Sequence, residues 1–597
     1  MKEYIKKTMK ILMIFAILFL VAGAVSASEN VTDDDASVSS SDAEIISAKA
    51  TGSFTELQNI IDKAKKGDTI NLDKNYAYAN GDSKEGVLIN KSISINGNGM
   101  VLDGKDTSRI FKIIEAYDEN DNDDTGNGVV LIKNLAFING KSENGGAIFV
   151  GSEYDPWGTI SLNISDCEFK NNNAIDIPVK DDETPATGNG GAIYSTGNVD
   201  IRNSKFIQNN AAKEGGAIFT QEYITDYSKM NVLNSNFTNN KAERGGAICS
   251  PSLKVSNSNF IDNYASIYAG AIYSYGDWDC ELDISKSLFK SNRGGVSAGA
   301  IRHYGIAKIS ESEFINNTAK SEGGAIFAEN GQDMKLTVTK SSFINNSAKY
   351  GGAICFEEYC YSTKSSISDS IFKYNTATKN GGAIANIPDD LKLKNNTYIG
   401  NNKEQITIKS KNFKTSYNSG KVLKITVVGR LTNTPVKNVK VTLTLLHSMI
   451  NGPVKKLTAT TNSKGVASFK TISKIKPNYY TAYQDIEVVG YDGGYNYRIS
   501  VNIPTITKAP SVTAKLKASK DFKVTVKNKM NKKAVKNCKV KVKVYTGKKY
   551  KTYKIKTDKK GVAKLNTKIL KKGTHKVEVS SGNYKYTIDA KSTITIK

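Results

Sequence analysis

Four short segments of this 597-residue chain bring carboxylates and aromatic rings together. They are SEYDPWG (Tyr154, Asp155, Trp157), QEYITDY (Tyr223, Asp226, Tyr227), YGDWDCE (Tyr275, Asp277, Trp278, Asp279) and FEEYCY (Glu357, Glu358, Tyr359), and both tryptophans of the chain lie in them. An aromatic side chain offers an apolar face on which the C–H face of a sugar ring stacks, while carboxylates accept hydrogen bonds from sugar hydroxyls. These thirteen residues are therefore the candidate ligand-binding set, and glycans are the ligands they fit; shielding of a sheet edge and cation binding are the alternatives. Cleavage of an acidic polysaccharide would need more, either paired acids acting as general acid and base or a basic group beside a carboxylate. The histidines are His303, His447 and His575. His303, in AIRHYG beside Arg302 and Tyr304, is the candidate base of such a lyase, and its surroundings read as an exposed loop.

Other reactive groups give less. The segment DENDNDDTGNG, from Asp118 to Gly128, is acidic but lacks the sixth-position Gly and the distal Glu of an EF-hand. It reads as a solvent loop, with weak calcium binding as the alternative, and no other cofactor is expected. Six cysteines are few for a secreted protein. Cys249 and Cys355 stand four repeats apart, roughly 19 Å at the spacing of stacked strands and beyond disulfide reach. Cys355 with Cys360, or Cys280 with a neighbouring loop, are the pairings left open; Cys538 aligns with Val439 and reads as core. No metal-ligand spacing is present.

What positions the acidic-aromatic segments is a repeat. GGAI or AGAI begins at residues 145, 190, 215, 245, 269, 298, 323, 351 and 381, and each of the four segments follows one copy. Between copies stands a Phe with an Asn three residues on, as at Phe169/Asn172, Phe260/Asn263 and Phe343/Asn346, with Tyr398/Asn401 as a degenerate last copy. Starts 24 to 30 residues apart, with one gap of 45, mark a solenoid. In LTVTKSSFINNSAKYGGAICF, alternation around Leu336, Val338 and Phe343 predicts two short strands per coil. Stacking the coils as a parallel β-helix predicts an internal Phe ladder and a hydrogen-bonded Asn ladder at a corner. The glycine pairs then fit a corner that needs positive φ or has no room for a Cβ. The four candidate segments follow the same corner and are expected on one side of the solenoid.

The flanks complete the organisation. Residues 1–27 carry a basic stretch, an apolar run from Ile11 to Val25 and the small-residue Val25-Ser26-Ala27 pattern of a secretory signal; residues 28–50 read as an acidic, Ser-rich flexible leader. Residues 51–404 are the β-helix, opened by a capping helix with Phe54, Leu57, Ile60, Ile61 and Ala64 at helical spacing and a stop at Gly67-Asp68. Beyond it, Val422–Val428, Val436–Leu446 and Thr460–Phe469 read as strands. NTPVKNVKVTLTL recurs as KKAVKNCKVKVKV and TNSKGVASF as TDKKGVAKL, 96 to 99 residues on. Two β-sandwich domains, 405–504 and 505–597, are the expected reading, so the fold class is all-β. Asn163, Asn236, Asn316, Asn345 and Asn395 are potential glycosylation acceptors, although the repeat alone explains an Asn at many of these corners.

Charge divides along the same line. Residues 511–597 hold 27 Lys, no Arg and four acids; residues 405–510 hold 16 basic and three acidic residues. The stem carries +36 of a total of +25, which leaves residues 1–404 at −11. Lysine without arginine suits diffuse attraction to an anionic wall polymer or membrane surface, not the bidentate reading of nucleic acid. The FxxN and GGA[ILV] repeats resemble those of chlamydial polymorphic outer-membrane proteins. With the signal and the tandem sandwich domains, the chain is similar to adhesin-like surface proteins of gut methanogenic archaea, although the chlamydial family's autotransporter barrel has no counterpart here. The resemblance implies a right-handed, pectate-lyase-like parallel β-helix followed by immunoglobulin-like domains, displayed at the cell surface for adhesion. The expected function is a secreted, non-enzymatic adhesin. Its partners would be glycans or surface proteins of neighbouring or host cells, with an anionic cell-wall polymer bound by the stem. A polysaccharide lyase or hydrolase and a structural envelope component are the alternatives.

Overall fold

A computed structural model describes residues 51–114, 128–151, 160–177, 187–221, 228–276, 280–329, 334–358, 364–409, 413–446, 453–474, 483–488, 495–582 and 585–597. The signal and leader readings at residues 1–50 lie outside these residues. Among them, residues 51 to about 400 wind into a parallel β-helix whose strands form sheets of 23, nine and eleven strands. From Ser161 to Ala385 each coil has four strands, where the sequence alternation gave two. In one coil they are Lys335–Thr339 and Ser342–Ile344 in the largest sheet, Ser347–Tyr350 in the nine-stranded sheet, and Ile354–Phe356 in the eleven-stranded sheet. The last two are too short to show a period in sequence. They are fixed by pairing with the coils on either side.

The conserved spacing within the repeat follows from what each turn of the coil must satisfy. Phe137, Phe169, Phe206, Phe237, Phe260, Phe289, Phe314, Phe343 and Phe372 stack with ring centres 4.6 to 4.8 Å apart and no exposure. Burial of each ring contributes about 2 kcal/mol. Tyr398 ends the file at 5.3 Å. The following Asn closes the corner from inside. Asn263 Nδ2 donates to Phe237 O at 2.9 Å and to Asn292 Oδ1 at 3.0 Å, while its own Oδ1 accepts from Asn240 N and Nδ2. Every donor of that amide is satisfied in a place water does not reach, as buried polar groups require. A second ladder, of serines, runs through Ser204, Ser235, Ser258, Ser287, Ser312, Ser341 and Ser370, each Oγ accepting the backbone N–H of the coil before. Cys167 takes the same place at the start of this file, its N–H donating to Ser204 Oγ.

The two glycines of GGAI do different work. The first sits at positive φ, as at Gly245 (φ 62°) and Gly351 (φ 63°), where a Cβ would also crowd the carbonyl of the Ile three residues on in its own coil. The second faces the backbone of the next coil: a Cβ on Gly246 would lie 2.6 Å from Tyr264 O and closer still to Gly270 O. Alanine therefore replaces the first glycine at Ala269 (φ 60°) and Ala298 (φ 59°), where it is strained, and never the second. Non-glycine residues such as Asn316 and Asn345, at φ 56° and 55°, take the left-handed turn at another corner. That accounts for the asparagine density, since a short polar side chain tolerates this conformation best.

The helix Phe54–Lys63 buries Phe54, Leu57 and Ile61 in the core of the first coils, with Ser53 Oγ accepting from Glu56 N. Ile60 is 39% exposed, so the buried stripe is narrower than the sequence spacing suggested. At the far end Arg430 pairs with Asp389 at 3.0 Å, and the Glu404 carboxylate accepts from Leu431 N, Thr432 N and Thr432 Oγ1. Leu431 packs on the solenoid core. Two further cores follow, one from Ile406 to Val488 and one from Ala514 to Ile596.

The two stem units repeat the same local devices. Thr461 Oγ1 accepts from Val439 N and Thr557 Oγ1 from Cys538 N. Asn462 and Asp558 each accept two backbone N–H groups across a turn closed by Gly465 and Gly561. Thr460–Phe469, read from sequence as one strand, is broken by the first of these turns into Pro453–Thr460 and Val466–Phe469. Strand Tyr495–Lys508 serves both units, pairing with Tyr483–Val488 through its first residues and with Asp521–Asn528 through its last. No helix among the described residues is long and apolar enough to cross a membrane.

Candidate functional site

The strands after the glycine corner stack in exact order, Ile148, Ile193, Ile218, Ile248, Ile272, Ile301, Ile326, Ile354 and Ile384 pairing along the sheet. Because these isoleucines point inward, the next residue points out. It is Phe149, Tyr194, Phe219, Cys249, Tyr273, Arg302, Phe327, Cys355 and Ala385 in turn. These side chains form an external ladder that the sequence reading missed. Strict alternation after the buried Ile was the signal for it.

In its first half the ladder is aromatic. Phe149 stacks on Tyr194 at 5.2 Å and 2°, Tyr194 on Phe219 at 5.3 Å, and Phe219 on Tyr275 at 6.2 Å. Tyr275, one of the candidate residues, thus lies across the gap left by the smaller Cys249, with Tyr273 at 5.7 Å, and its hydroxyl donates to Thr220 O at 2.9 Å. Arginines stand at either end. Arg109 lies 5.1 Å from the Phe149 ring and pairs with Glu85 at 2.6 Å. Arg302 lies 3.9 Å from the Tyr268 ring, forks onto Glu329 with bonds of 2.8 and 2.6 Å, and donates to Ser297. Burial pushes the Tyr273 hydroxyl up to about 12, and burial with Glu214 beside it pushes the Cys249 thiol well above its ordinary value. The ladder is a closed, unreactive wall: its ring faces are taken by one another, and Tyr194 and Phe219 are only 9% and 7% exposed.

Strands Phe111–Ile114, Ile148–Gly151, Ile218–Thr220, Ile272–Ser274, Ile326–Ala328 and Ile354–Phe356 belong to one sheet and run parallel. Residues 115–127, 152–159, 222–227, 277–279, 330–333 and 359–363 follow their C-terminal ends, so all six segments depart from the same edge. Together they contain thirteen Asp or Glu and no Lys or Arg. Residues 1–404 carry −11, so these segments, with −13, account for its net negative charge. Of the candidate ligand-binding residues, Tyr154, Asp155, Trp157, Tyr223, Asp226, Tyr227, Asp277, Trp278, Asp279 and Tyr359 lie outside the described residues, as does the acidic segment from Asp118 through Asn127. Tyr275, Glu357 and Glu358 are described. The structure does not bring Tyr275 and the glutamates together, since three coils, about 14 Å, separate them. Glu358 is exposed, and Glu357 N donates to Ala328 O at 2.9 Å.

His303 is corrected by the structure. It is not in an exposed loop but inside the coil, fully buried, stacked between Ser274 and Ala328. Neither ring nitrogen has a hydrogen-bond partner, and burial pushes its pKa down to about 4. A base sealed there does not meet a polysaccharide.

The Chlamydia polymorphic membrane protein repeat matches residues 166–196, 203–221, 234–251, 311–329, 340–357 and 369–387. Each of these segments starts at a left-handed corner residue and runs through the Phe and Asn ladders to the strand that follows the glycine corner. The coils are similar to that repeat. No curated protein matches the chain. Among solved structures, the native conformation of E. coli alpha-2-macroglobulin is 11% identical over 32% of this chain and 14% of its own length, with a TM-score of 0.18. The fibronectin(III)-like modules of Clostridium thermocellum CbhA are 14% identical over 32% of this chain and 94% of theirs, with a TM-score of 0.17. The D0-D1 domain of intimin is also 14% identical, over 32% and 97%, with a TM-score of 0.13.

Proposed function

We propose that the protein is a secreted, non-enzymatic adhesin held at the cell surface. In this reading the solenoid presents its loop edge to glycans or to surface proteins of neighbouring or host cells, and the basic stem associates with the anionic polymer of its own envelope. The observation that carries the reading is the common edge: six segments that together hold thirteen acids and no basic residue follow parallel strands of one sheet. A stack of coils repeats such loops along a line, and weak contacts on one line add through effective concentration. The similarity of the coils to a membrane-protein repeat supports display at a surface. The burial of His303 removes the histidine that a lyase reading would use.

The test is retention of the full chain on an array of mucin-type and plant acidic glycans. Wild-type retention that falls at least tenfold in Trp157→Ala/Trp278→Ala is expected. Retention unchanged in that variant, or release of cleaved product, would overturn the reading.

A further inference from the structure

The two stem units are an internal duplicate, and on one sheet face their residues differ where their frames agree. In the first, Lys440–Leu446 pairs with Pro453–Thr460, setting Thr442 opposite Thr458 and Lys440 opposite Thr460 on the face away from the core. In the second, Lys539–Thr546 pairs with Lys549–Lys556 in the same way, and the matching positions are Lys541 opposite Lys554 and Lys539 opposite Lys556. Lys543 stands where the first unit has Thr444, and its partner Thr552 stands where the first unit has Lys456. Val540, Val542 and Val544 fill the core beneath, so these lysines all lie on the outer face of the sheet.

Like charges directly opposite each other across strands destabilise a sheet by a few tenths to about 1 kcal/mol a pair. The threonines of the first unit show that the frame folds without them. Acids offset the array only in part: Glu578 lies opposite Lys543 and is also engaged by Tyr545 Oη at 2.7 Å and Lys576 at 3.2 Å, and the other acid on this face is Asp589. Along one strand the lysines repeat every second residue, about 6.8 Å apart, and across strands about 5 Å. At the end of these rows Tyr545 and Tyr550 face each other with ring centres 5.3 Å apart, Lys543 lies 4.4 Å from the Tyr550 ring, and that ring is 53% exposed.

We propose that this outer face, centred on Lys541, Lys543, Lys554 and Lys556, is a docking surface for a linear acidic polysaccharide. Carboxylates spaced along the chain would sit over the lysine rows and relieve their mutual repulsion, and one sugar ring would stack on Tyr550. The flat face and the exposed ring favour a carboxylated sugar chain over a lipid surface, because no apolar side chain projects from the lysine rows to enter a bilayer. The proposal rests on the reading of the stem as the part that meets an anionic envelope.

The experiment uses the full chain and polygalacturonate as the probe, with phosphatidylserine vesicles in parallel. Wild-type protein should bind the polymer and be released as salt rises, as screened charge contacts are. The variant K541T/K543T/K554T/K556T, which installs the residues of the duplicate, should lose at least tenfold in affinity; the corresponding four-Gln variant should behave alike. K527T/K529T/K533T/K536T removes as much charge from the opposite layer and the loop beside it, and should lose less than twofold. Equal losses in the two sets would overturn a defined face while leaving diffuse attraction by the stem intact. Binding to the vesicles without binding to polygalacturonate would overturn the occupant. Binding to neither would remove the envelope reading as well.

Discussion

Gly246 in the solenoid and Lys541 in the stem both belong to repeated structure, yet one repeats without exception and the other does not. The second glycine of each GGAI or AGAI corner abuts the carbonyl of the next coil, and all nine copies keep it. The outer face of the stem sheet makes no such demand on residue type, and Thr442, buried in one unit, becomes Lys541 in the other. Where backbone meets backbone the residue type is dictated by excluded volume. Where a face is open, the type is free to serve a partner.

Breaking the first side of that contrast should have the largest effect. Gly246→Ala places a methyl against two backbone carbonyls that neighbouring coils hold in place, and should cost on the order of 4 kcal/mol in urea unfolding monitored by circular dichroism. A loss under about 1 kcal/mol would show that the stack yields. His303 comes next. Its folded pKa of about 4 lies below the ordinary 6.5, so the unfolded chain binds more protons between these values and stability falls as pH drops from about 6.5 to 4. The difference between wild type and His303→Leu should change by about 3 kcal/mol across that window and be flat above pH 7. A parallel pH response in both proteins would refute the assignment.

Smaller effects sharpen the contrast. Ala269→Gly restores the glycine of the first corner position at φ 60° and should stabilise by about 0.5–1 kcal/mol, the relief of left-handed alanine less the added entropy of the unfolded chain. Differential scanning calorimetry reads it as a rise of a few degrees or less. Smallest of all, Lys541→Thr/Lys554→Thr should leave stability unchanged or raised by a few tenths of a kcal/mol at low salt. A clear loss would mean that these lysines hold the sheet together and are not free for a ligand.

Much of the solenoid was legible because one coil repeats its demands: Phe169 and Phe206 occupy equivalent positions, and so do Asn172 and Asn209. The two shorter strands of each coil were not legible, since strands such as Asn173–Ala174 hold together only through pairing with other coils. The external ladder was hidden by its own variety, for Phe149, Cys249 and Arg302 share a position and no chemistry. His303 was misread because Arg302 and Tyr304 beside it look like a loop, whereas alternation along Ile301–His303 turns only Arg302 outward. That the strands before the candidate segments share one sheet was legible from GGAI, and the position of Tyr275 within the ladder was not.

The sequence by itself determined the winding, because a glycine pair, a Phe and an Asn at fixed spacing satisfy one coil only when the next coil supplies the same groups. It also determined the split between a net acidic N-terminal region and a basic stem. Only the tertiary structure decided which side chains face outward together, sealing His303 inside, laying Tyr275 across Cys249 and setting Lys541 against Lys554. Those relations join residues on different strands, and it is strand pairing, not distance along the chain, that brings them within a few ångströms.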